Sequence, residues 1–415
     1  MKQRNKDIRR KKEESGSILV MSLLIMTVLL IMTVPFLFQL STENRLSEKS
    51  YKSLAAISLA EAGVERAIWE LNHGDIETWQ VDGDLRLSSF SLESGEMEVK
   101  VDLINPIEVA VLSTGFVEYI GDEVNERTVR IDLERRKSYP FKYGLYGKDR
   151  VEIQTGAETD AYFSEKGAYG DDNVYAEGNV VTGSTATSAI HVQTAGNVHG
   201  DAFVGVDGDP GTGVLNEGTI DGVLGALQDP VELPSVSVPS ELPNLGDFWG
   251  EVGIVDQSGV YDEFVLGSEA NVSIEGDVVL AITDRFYMDN GSRVTIEEGS
   301  SLTVYMVDTA TRFYVDQGAT VNNRSEDATK MMVYATDGYV GDVEIDQTTT
   351  FYGGVYAPNA SIYLDNNTGF FGAIVGREVE LDMNSRFHYD MSLDLFGITS
   401  KDAPYVVKSW HEVVQ

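Results

Sequence analysis

Hydrophobic and polar residues follow four different patterns along this chain of 415 residues. Residues 17–40 are almost entirely apolar, and residues 41–72 place apolar side chains at steps of three and four, the period of an amphipathic helix. Residues 75–137 contain longer runs that alternate apolar and polar side chains, which is typical of antiparallel strands. In residues 151–395 the apolar runs shorten, and each ends at Gly, Asn or Asp. The pattern therefore predicts one long helix followed by a mainly β chain.

The apolar run at residues 17–40 predicts a membrane-spanning helix. A helix of this length measures about 36 Å, enough to cross a hydrocarbon core of ~30 Å. Residues 15–42 carry no charge, whereas the first 14 residues carry seven basic and three acidic side chains. The whole chain has a net charge of −36, so nearly all of its acidic excess follows the apolar run. Since basic flanks stay cytoplasmic, we expect the acidic bulk on the other side of the cytoplasmic membrane.

The helical pattern continues beyond the apolar run. We expect the helix to cover residues 17–74, with Gly74 at its C-cap and residues 17–72 extending over about 84 Å. Pro35 is expected to bend it, because proline lacks a backbone donor and clashes with the preceding turn. The second half of the helix carries one apolar stripe, made of Ile57, Ala60, Val64, Ala67, Ile68 and Leu71.

The chain begins with a basic leader that ends in Gly16, followed by a small residue at Ser17, the apolar run and a long amphipathic helix. This order resembles that of type IV prepilins. The segment SLAEAGVERAIWELN resembles the same stretch of PilX-type minor pilins in particular. The resemblance implies that residues 1–16 are a class III signal peptide, which a prepilin peptidase cuts between Gly16 and Ser17. It also implies that the apolar helix first spans the membrane and then packs into a filament core. The residues expected on this helix include Leu19, Met21, Leu24, Val28 and Pro35.

Met21 departs from the pattern of major pilins. In that family the fifth mature residue is a glutamate, which pairs with the terminal amine of a neighbouring subunit during assembly. Met21 has no carboxylate for this pairing, and the resemblance then implies a subunit that initiates or caps a filament. The alternative is a plain membrane anchor with an incidental glycine before it.

The rest of the chain predicts three further regions and a tail. Residues 75–137 are expected to form a small antiparallel β unit, 138–150 a junction that contains Pro140, and 396–415 a C-terminal tail. Residues 151–395 repeat their short runs at intervals of about 16 to 22 residues, which favours a right-handed parallel β-helix, a type of solenoid. A β-sandwich is the alternative, although its strands are usually longer and alternate more evenly.

The strip that begins FYGGVYAPNASIYL and closes with FHYDMSL resembles the β-helix of PilX-like bacterial surface proteins and, less closely, bactofilin repeats. Residues 206–250 hold five of the ten prolines, so they are interpreted as an excursion over the surface, either a decorated loop or a contact surface. Five aromatic side chains are expected to stack inside successive repeats: Tyr352, Tyr356, Tyr363, Phe371 and Tyr389.

The amino-acid composition limits the kinds of functional site that this chain can form. The chain has no cysteine, which excludes disulfides, thiolate metal sites and cysteine nucleophiles. Its acidity disfavours nucleic-acid binding. Asp207 and Asp209 have the i, i+2 spacing of calcium loops but lack the rest of an EF-hand, so they are the one candidate metal turn. The sequence contains no phosphate loop, nucleophile elbow or zinc spacing, and we predict a protein that is not an enzyme and needs no cofactor beyond that candidate calcium.

Together these features predict a minor pilin or pseudopilin with an N-terminus in the cytoplasm and its bulk outside. It would be a single-pass protein of the cytoplasmic membrane, and after processing it would lie at the cell surface or in a pilus. Its expected partners are other pilins or pseudopilins, the prepilin peptidase, the membrane, and a surface glycan or protein ligand. Two alternatives stay open: a permanently anchored surface β-helix that binds a ligand, and a polysaccharide-acting enzyme that uses carboxylates such as Asp171, Asp172, Asp207 and Asp209.

Overall fold

The computed structural model describes the backbone of residues 3–105, 107–118, 124–400 and 402–413. It describes their side chains from Ile18 onward, except at positions 251, 322 and 323. The chain divides into two compact units, one formed by Met1–Glu134 with Pro404–Gln415 and the other by Arg135–Ala403. Each unit has its own hydrophobic core.

The described helices are α1 (Gln3–His73), α2 (Pro210–Gly213) and 3₁₀ turns at Ile76–Thr78, Pro140–Tyr143, Ser164–Lys166, Ala328–Lys330 and Met391–Leu393. The first strands are β1 (Gln80–Asp82), β2 (Leu85–Leu92), β3 (Gly95–Asp102), β4 (Glu108–Glu118), β5 (Val124–Arg135) and β6 (Lys137–Ser138). They are followed by β7 (Leu145–Ile153), β8 (Glu158–Tyr162), β9 (Val180–Thr182), β10 (Ile190–Val192), β11 (Asn197–Val198), β12 (Ala202–Val204), β13 (Val214–Asn216), β14 (Thr219–Ile220) and β15 (Leu224–Ala226).

The chain continues with β16 (Asn244–Val255), β17 (Gly259–Ile274), β18 (Asp277–Met288), β19 (Arg293–Ile296), β20 (Ser301–Met306), β21 (Arg312–Val315), β22 (Thr320–Asn323), β23 (Met331–Ala335) and β24 (Asp342–Ile345). The last strands are β25 (Thr350–Leu364), β26 (Gly369–Leu381), β27 (Arg386–Asp390), β28 (Ile398–Thr399) and β29 (Tyr405–Val413).

The first unit packs the second half of α1 against a sheet with the strand order β1-β2-β3-β4-β5-β29. Strands β1 to β5 pair antiparallel, as their alternating sequences predict. The predicted helix stripe is confirmed, because Ala60, Val64 and Ala67 are buried and the three larger residues of the stripe are partly buried. The sheet meets this stripe with a run of buried aliphatic side chains: Val99, Val101, Val109, Val111, Val129, Ile131 and Leu133.

The end of the chain is a strand of the first sheet. Residues 396–415 were expected to form a tail, but Tyr405–Val413 forms β29 beside β5. Asn72, near the end of α1, makes two hydrogen bonds to the main chain of one residue of this strand. Its Oδ1 accepts from the Tyr405 N–H at 2.7 Å, and its Nδ2 donates to the Tyr405 carbonyl at 3.2 Å. The pairing joins residues far apart in sequence, so local pattern did not reveal it.

Most strands of the second unit are parallel and pair in three ladders, while β6 and β28 form a separate antiparallel pair. Parallel pairing is not the arrangement of the β-sandwich that was kept as the alternative. We call these ladders A, B and C. Each repeat of the chain adds a strand first to ladder B, then to ladder C and then to ladder A, and a long strand contributes to more than one ladder. Ladder A contains β16, β17, β19, β22, β25, β26, β27, β8, β11 and β14. Ladder B contains β16, β17, β18, β20, β23, β25, β26, β7, β9, β12 and β15. Ladder C contains β16, β17, β18, β21, β24, β25, β26, β7, β10 and β13.

The repeats are not stacked in chain order. Strands β7 and β8, which come first in sequence among the ladder strands, pair with β26 and β27, which come last among them. The stack therefore begins at β16, continues to β27, and is extended by residues 145–226. Its two ends are β16 on one side and β13, β14 and β15 on the other.

Residues 227–243 return the chain from one end of the stack to the other. Val231, Leu233 and Val236 pack on the core, and the Pro234 carbonyl accepts a hydrogen bond from the Tyr356 hydroxyl at 2.8 Å. The segment has no regular secondary structure and is rich in proline, which suits a chain that adds no strand to a ladder. The predicted excursion at residues 206–250 is thus corrected: it is shorter, because 210–226 and 244–250 belong to helix α2 and to strands, and it is bound to the stack rather than free.

A column of phenylalanine rings fills the interior of the stack. The rings follow ladders C and A, with centroids of successive rings 4.5 to 6.5 Å apart. The expected interior set was partly wrong. Tyr356 and Tyr389 are buried, but Tyr352, Tyr363 and Phe371 lie on the outer side, since neighbouring residues of a strand face opposite ways. The interior column is Phe248, Phe264, Phe286, Phe313, Phe351, Phe370 and Phe387.

Ladder C is joined to ladder A by a turn that recurs in successive repeats. Its third residue has a positive φ, between 57° and 67°, at Gly291, Gly318, Thr348, Asn367 and Asn384. The next residue is small and buried, and where it is Ser or Thr its hydroxyl usually donates to a main-chain carbonyl of the preceding repeat. These buried residues are Ser292, Ala319, Thr349, Thr368 and Ser385.

The outward and inward aromatic positions should differ sharply in their effect on stability. We expect Phe370→Ala to lower the free energy of unfolding by about 3–5 kcal/mol, because it opens a cavity between two stacked rings. Tyr363→Ala, on the outer side of the adjacent ladder, should cost no more than about 1 kcal/mol. Urea denaturation followed by circular dichroism measures both, and equal losses would contradict the assigned faces.

Candidate functional site: the exposed face of the N-terminal helix

The first half of the described helix has no partner for its apolar surface. Residues 18–40 carry large apolar side chains on all sides, and an apolar window of 18 residues near the N-terminus is completely unburied. Among the residues expected to face a membrane or filament core, the exposed fraction runs from 69 % for Leu19 to 46 % for Val28, with Met21 and Leu24 between them. A surface of this kind is stable only in lipid or against other apolar helices.

The polar side chains in this segment are satisfied within the helix. The hydroxyls of Ser22, Thr27 and Thr33 donate to main-chain carbonyls three or four residues earlier, at 2.6 to 2.9 Å. Because lipid offers no hydrogen-bond partner, such internal bonds remove the main cost of placing a hydroxyl in a membrane. The segment therefore fits a hydrocarbon environment in its polar as well as its apolar groups.

The helix is longer at its start than the pattern predicted. It begins at Gln3 rather than Ser17 and continues through Pro35, which lies inside it. The predicted cleavage position at Gly16 and Ser17 is thus on a continuous helical backbone, while the side chains of both residues lie outside the described set. Cleavage there stays a prediction.

The second half of the helix approaches its sheet unusually closely. A Cβ placed on Gly63 would lie 2.2 Å from Ser113 Oγ, and one on Gly115 of β4 would lie 2.1 Å from the Ala56 carbonyl oxygen. At Gly115 the backbone of α1 leaves no room for a side chain, and at Gly63 the space is taken by the side chains of Ser113 and Val99. This close fit holds the second half of α1, so that the exposed first half projects from an anchored base.

The predicted end of the helix is confirmed at His73, one residue before Gly74. The Gly74 N–H donates to the Glu70 carbonyl at 3.1 Å, and a side chain at Gly74 would overlap the Glu70 carboxylate. That carboxylate, which Arg66 also contacts, accepts from the Asp75 N–H. A side chain at position 74 would therefore displace the Glu70 carboxylate from its contacts with Arg66 and Asp75.

The candidate calcium turn is occupied by a helix cap. Asp209 caps the short helix α2 by accepting from the Gly211 N–H at 2.9 Å, while Asp207 is exposed with a φ of 62°. Among the described residues no group of three or more His, Asp or Glu side chains is arranged to hold a metal. Calcium binding by this turn stays a prediction without support from further ligands.

His388 is buried in a cluster of polar and aromatic side chains. Its Nδ1 lies 2.5 Å from Asp160 Oδ1, and its ring stacks between Tyr169 and Phe371 with centroids 3.9 and 4.6 Å away. The Tyr169 hydroxyl donates to the other oxygen of Asp160 at 2.6 Å. The sequence did not reveal this cluster, because Tyr169 reaches it from a loop between β8 and β9.

A column of carboxylates follows the recurring turn on the outside of the stack. The turn begins with an aspartate in five repeats, and parallel stacking brings these side chains together. Burial and the negative charge of Asp346 raise the pKa of Asp365 to about 7, whereas hydrogen bonds from Gln347 and Tyr314 lower the pKa of Asp346 despite its partial burial. The column is Asp289, Asp316, Asp346, Asp365 and Asp382.

A family model and a solved structure are similar to this chain. The family model described as "Domain of unknown function (DUF7305)" matches residues 244–396, a little over a third of the chain, beginning at the first residue of β16. No curated protein matches the chain. Among solved structures, the competence-associated pilin ComZ from Thermus thermophilus is similar over 87 % of this chain and 98 % of its own, with 8 % identity and a TM-score of 0.19. That TM-score does not establish a shared fold, so a pilin interpretation has to rest on the residues of this chain.

The close helix–sheet fit gives a first test of this region. We expect Gly115→Ala to destabilise the first unit by about 1–3 kcal/mol, since the added methyl group overlaps the Ala56 carbonyl. Gly267→Ala is the control, because a Cβ there meets nothing within 4 Å. Thermal unfolding followed by circular dichroism compares them, and a Gly115→Ala protein as stable as the control would contradict the close approach.

The carboxylate column predicts an unusual pH dependence. The pKa of Asp365 is higher in the folded than in the unfolded protein, so its contribution to stability is present below about pH 4 and lost as the pH rises towards 7. Asp365→Asn should flatten this decline and raise stability at pH 8 by at most about 1 kcal/mol, because solvent screens a half-buried pair. Denaturation midpoints measured from pH 4 to 8 test this, with the exposed Asp337→Asn as control; identical curves for wild type and Asp365→Asn would exclude the effect.

Proposed function

We propose that this protein is a non-enzymatic minor pilin or pseudopilin, which initiates or caps a type IV pilus-like filament. The observation that carries the proposal is a single helix with two surfaces: residues 18–40 are apolar and uncovered, while the same helix is anchored further on by Ala56, Ala60, Val64 and Ala67 under an antiparallel sheet. A plain anchor needs the first feature only. A subunit that must leave the bilayer and pack beside other helices needs both.

In this proposal the basic leader keeps the N-terminus in the cytoplasm and the acidic bulk is exported. A prepilin peptidase then cuts between Gly16 and Ser17, and the new amine of Ser17 is methylated. The apolar surface around Leu24 and Val28 moves from lipid to neighbouring pilin helices without a change of its own structure. Met21 supplies no carboxylate for a neighbour's amine, which supports a place at the start or tip of the filament.

The second unit would then be the part that the filament presents. Three parallel ladders with one interior column of phenylalanines support a right-handed parallel β-helix. Its outer side offers a surface for adhesion to a glycan or protein ligand. Among the described residues, none of the candidate aspartates belongs to a group of three or more carboxylate or imidazole side chains that could hold a metal.

Mass spectrometry of the mature N-terminus tests the processing step. In cells with an active prepilin peptidase, we expect a chain that starts at N-methylated Ser17, and we expect Gly16→Val to keep the leader. Ser15→Ala is the control and should be cut normally. A chain that retains Met1 or another leader residue in those cells would refute the proposal.

Fractionation separates the pilin from a permanent anchor. The processed protein should appear with filaments sheared from the cell surface, whereas an anchored binding protein stays in the membrane fraction. The variant Met21→Glu tests the position of the subunit in the filament. Its glutamate can pair with the terminal amine of a neighbouring subunit, so the amount of this protein per filament should increase. An unchanged amount would count against the assignment of Met21 to the starting or capping position.

A further inference from the structure

The stack of parallel strands ends in an open edge at β16. Among the described residues β16 pairs only with β17, so one side of this strand of twelve residues has no ladder partner. Three apolar side chains on it are strongly exposed: Trp249 at 63 %, Val252 at 83 % and Ile254 at 58 %. Long, apolar edge strands attract another strand, and folded proteins usually protect them with charge, proline or a covering element.

The backbone of β16 is oriented for such pairing. The Val255 carbonyl accepts from the Glu275 N–H at 3.1 Å and therefore faces β17. Because N–H and C=O groups alternate in direction along a strand, those of Val252 and Ile254 face the open edge. The same two residues carry the exposed side chains, so a docking strand would find hydrogen-bond partners and apolar contacts together.

The charge around the edge specifies what can dock there. Residues 167–284 contain twenty aspartates and glutamates but no lysine or arginine. The next cation, Arg285, is already paired with Glu263 at 3.1 Å and lies over the Trp249 ring. The opposite end of the stack, β13 to β15, lies in the same acidic stretch, so two copies of this protein would repel each other end to end.

We propose that β16 is a docking edge for an extended, lysine- or arginine-bearing segment of another protein, which adds a parallel or antiparallel strand to the stack. Main-chain hydrogen bonds at Val252 and Ile254 supply affinity, as in other complexes formed by strand addition. The acidic surroundings, including exposed Asp247 and Asp256, select a basic segment and exclude a second copy. This inference uses only the second unit and does not depend on the pilin proposal.

Fluorescence anisotropy with the full-length protein in detergent tests the docking edge. The probe is the labelled peptide Lys-Val-Lys-Val-Lys-Val-Lys-Val, and Glu-Val-Glu-Val-Glu-Val-Glu-Val is its acidic counterpart. We expect binding of the basic peptide only. Val252→Pro should weaken it at least tenfold, because proline removes an N–H from the open edge while leaving the bonds to β17 intact.

A charge variant keeps the test valid if Val252→Pro disturbs folding. The double variant Asp247→Lys with Asp256→Lys should also weaken binding of the basic peptide at least tenfold. The control is the double variant Asp172→Lys with Asp337→Lys, which changes the net charge by the same amount at positions away from β16 and should not weaken binding. Equal binding of the acidic peptide, or an equal loss in both double variants, would overturn the proposal in favour of general attraction to an acidic protein. Self-association in analytical ultracentrifugation that Val252→Pro abolishes would overturn it in favour of a second copy.

Discussion

Parallel, in-register pairing between successive repeats is the constraint on which the second unit depends. A strand in a ladder satisfies its neighbour's backbone only if each inward residue lies above an inward residue of the next repeat. This register turns single positions into columns. The interior phenylalanines form one column, the small residues of the recurring turn form a second, and the aspartates that begin the turn form a third.

The same register explains features that are unfavourable on their own. Aspartates such as Asp346 and Asp365 are brought close because five successive turns begin with aspartate and the register places these positions above one another. The protein accommodates the repulsion by raising the pKa of Asp365. The registered stack also leaves unpaired strand edges at both ends, on β16 and on β13, β14 and β15. At β16 no further described strand continues the ladders.

The sequence predicts contiguous features well and distant pairings poorly. The helix, its stripe and its end at Gly74 follow from neighbouring residues, and so do the short strands with their Gly, Asn or Asp turns. The sequence does not show which aromatic side chains face the interior. Phe351 and Tyr352 are adjacent and similarly apolar, and so are Phe370 and Phe371. Alternation alone therefore cannot assign one member of each pair to the inside. The positions of β29 and of β7 on β26 did not follow either, since no local pattern encodes a partner some 200 or more residues away.

Stacking out of chain order has a consequence for charge. Residues 226 and 244 are close in sequence, yet residues 227–243 carry the chain along the stack and place β15 and β16 at opposite ends. One continuous acidic stretch, residues 167–284, thereby supplies the strands at both ends and contains no lysine or arginine. A stack with oppositely charged ends could extend itself copy by copy, as heterologous contacts do when they do not close. Two acidic ends oppose this, so the fold keeps its open strands available to partners of other composition.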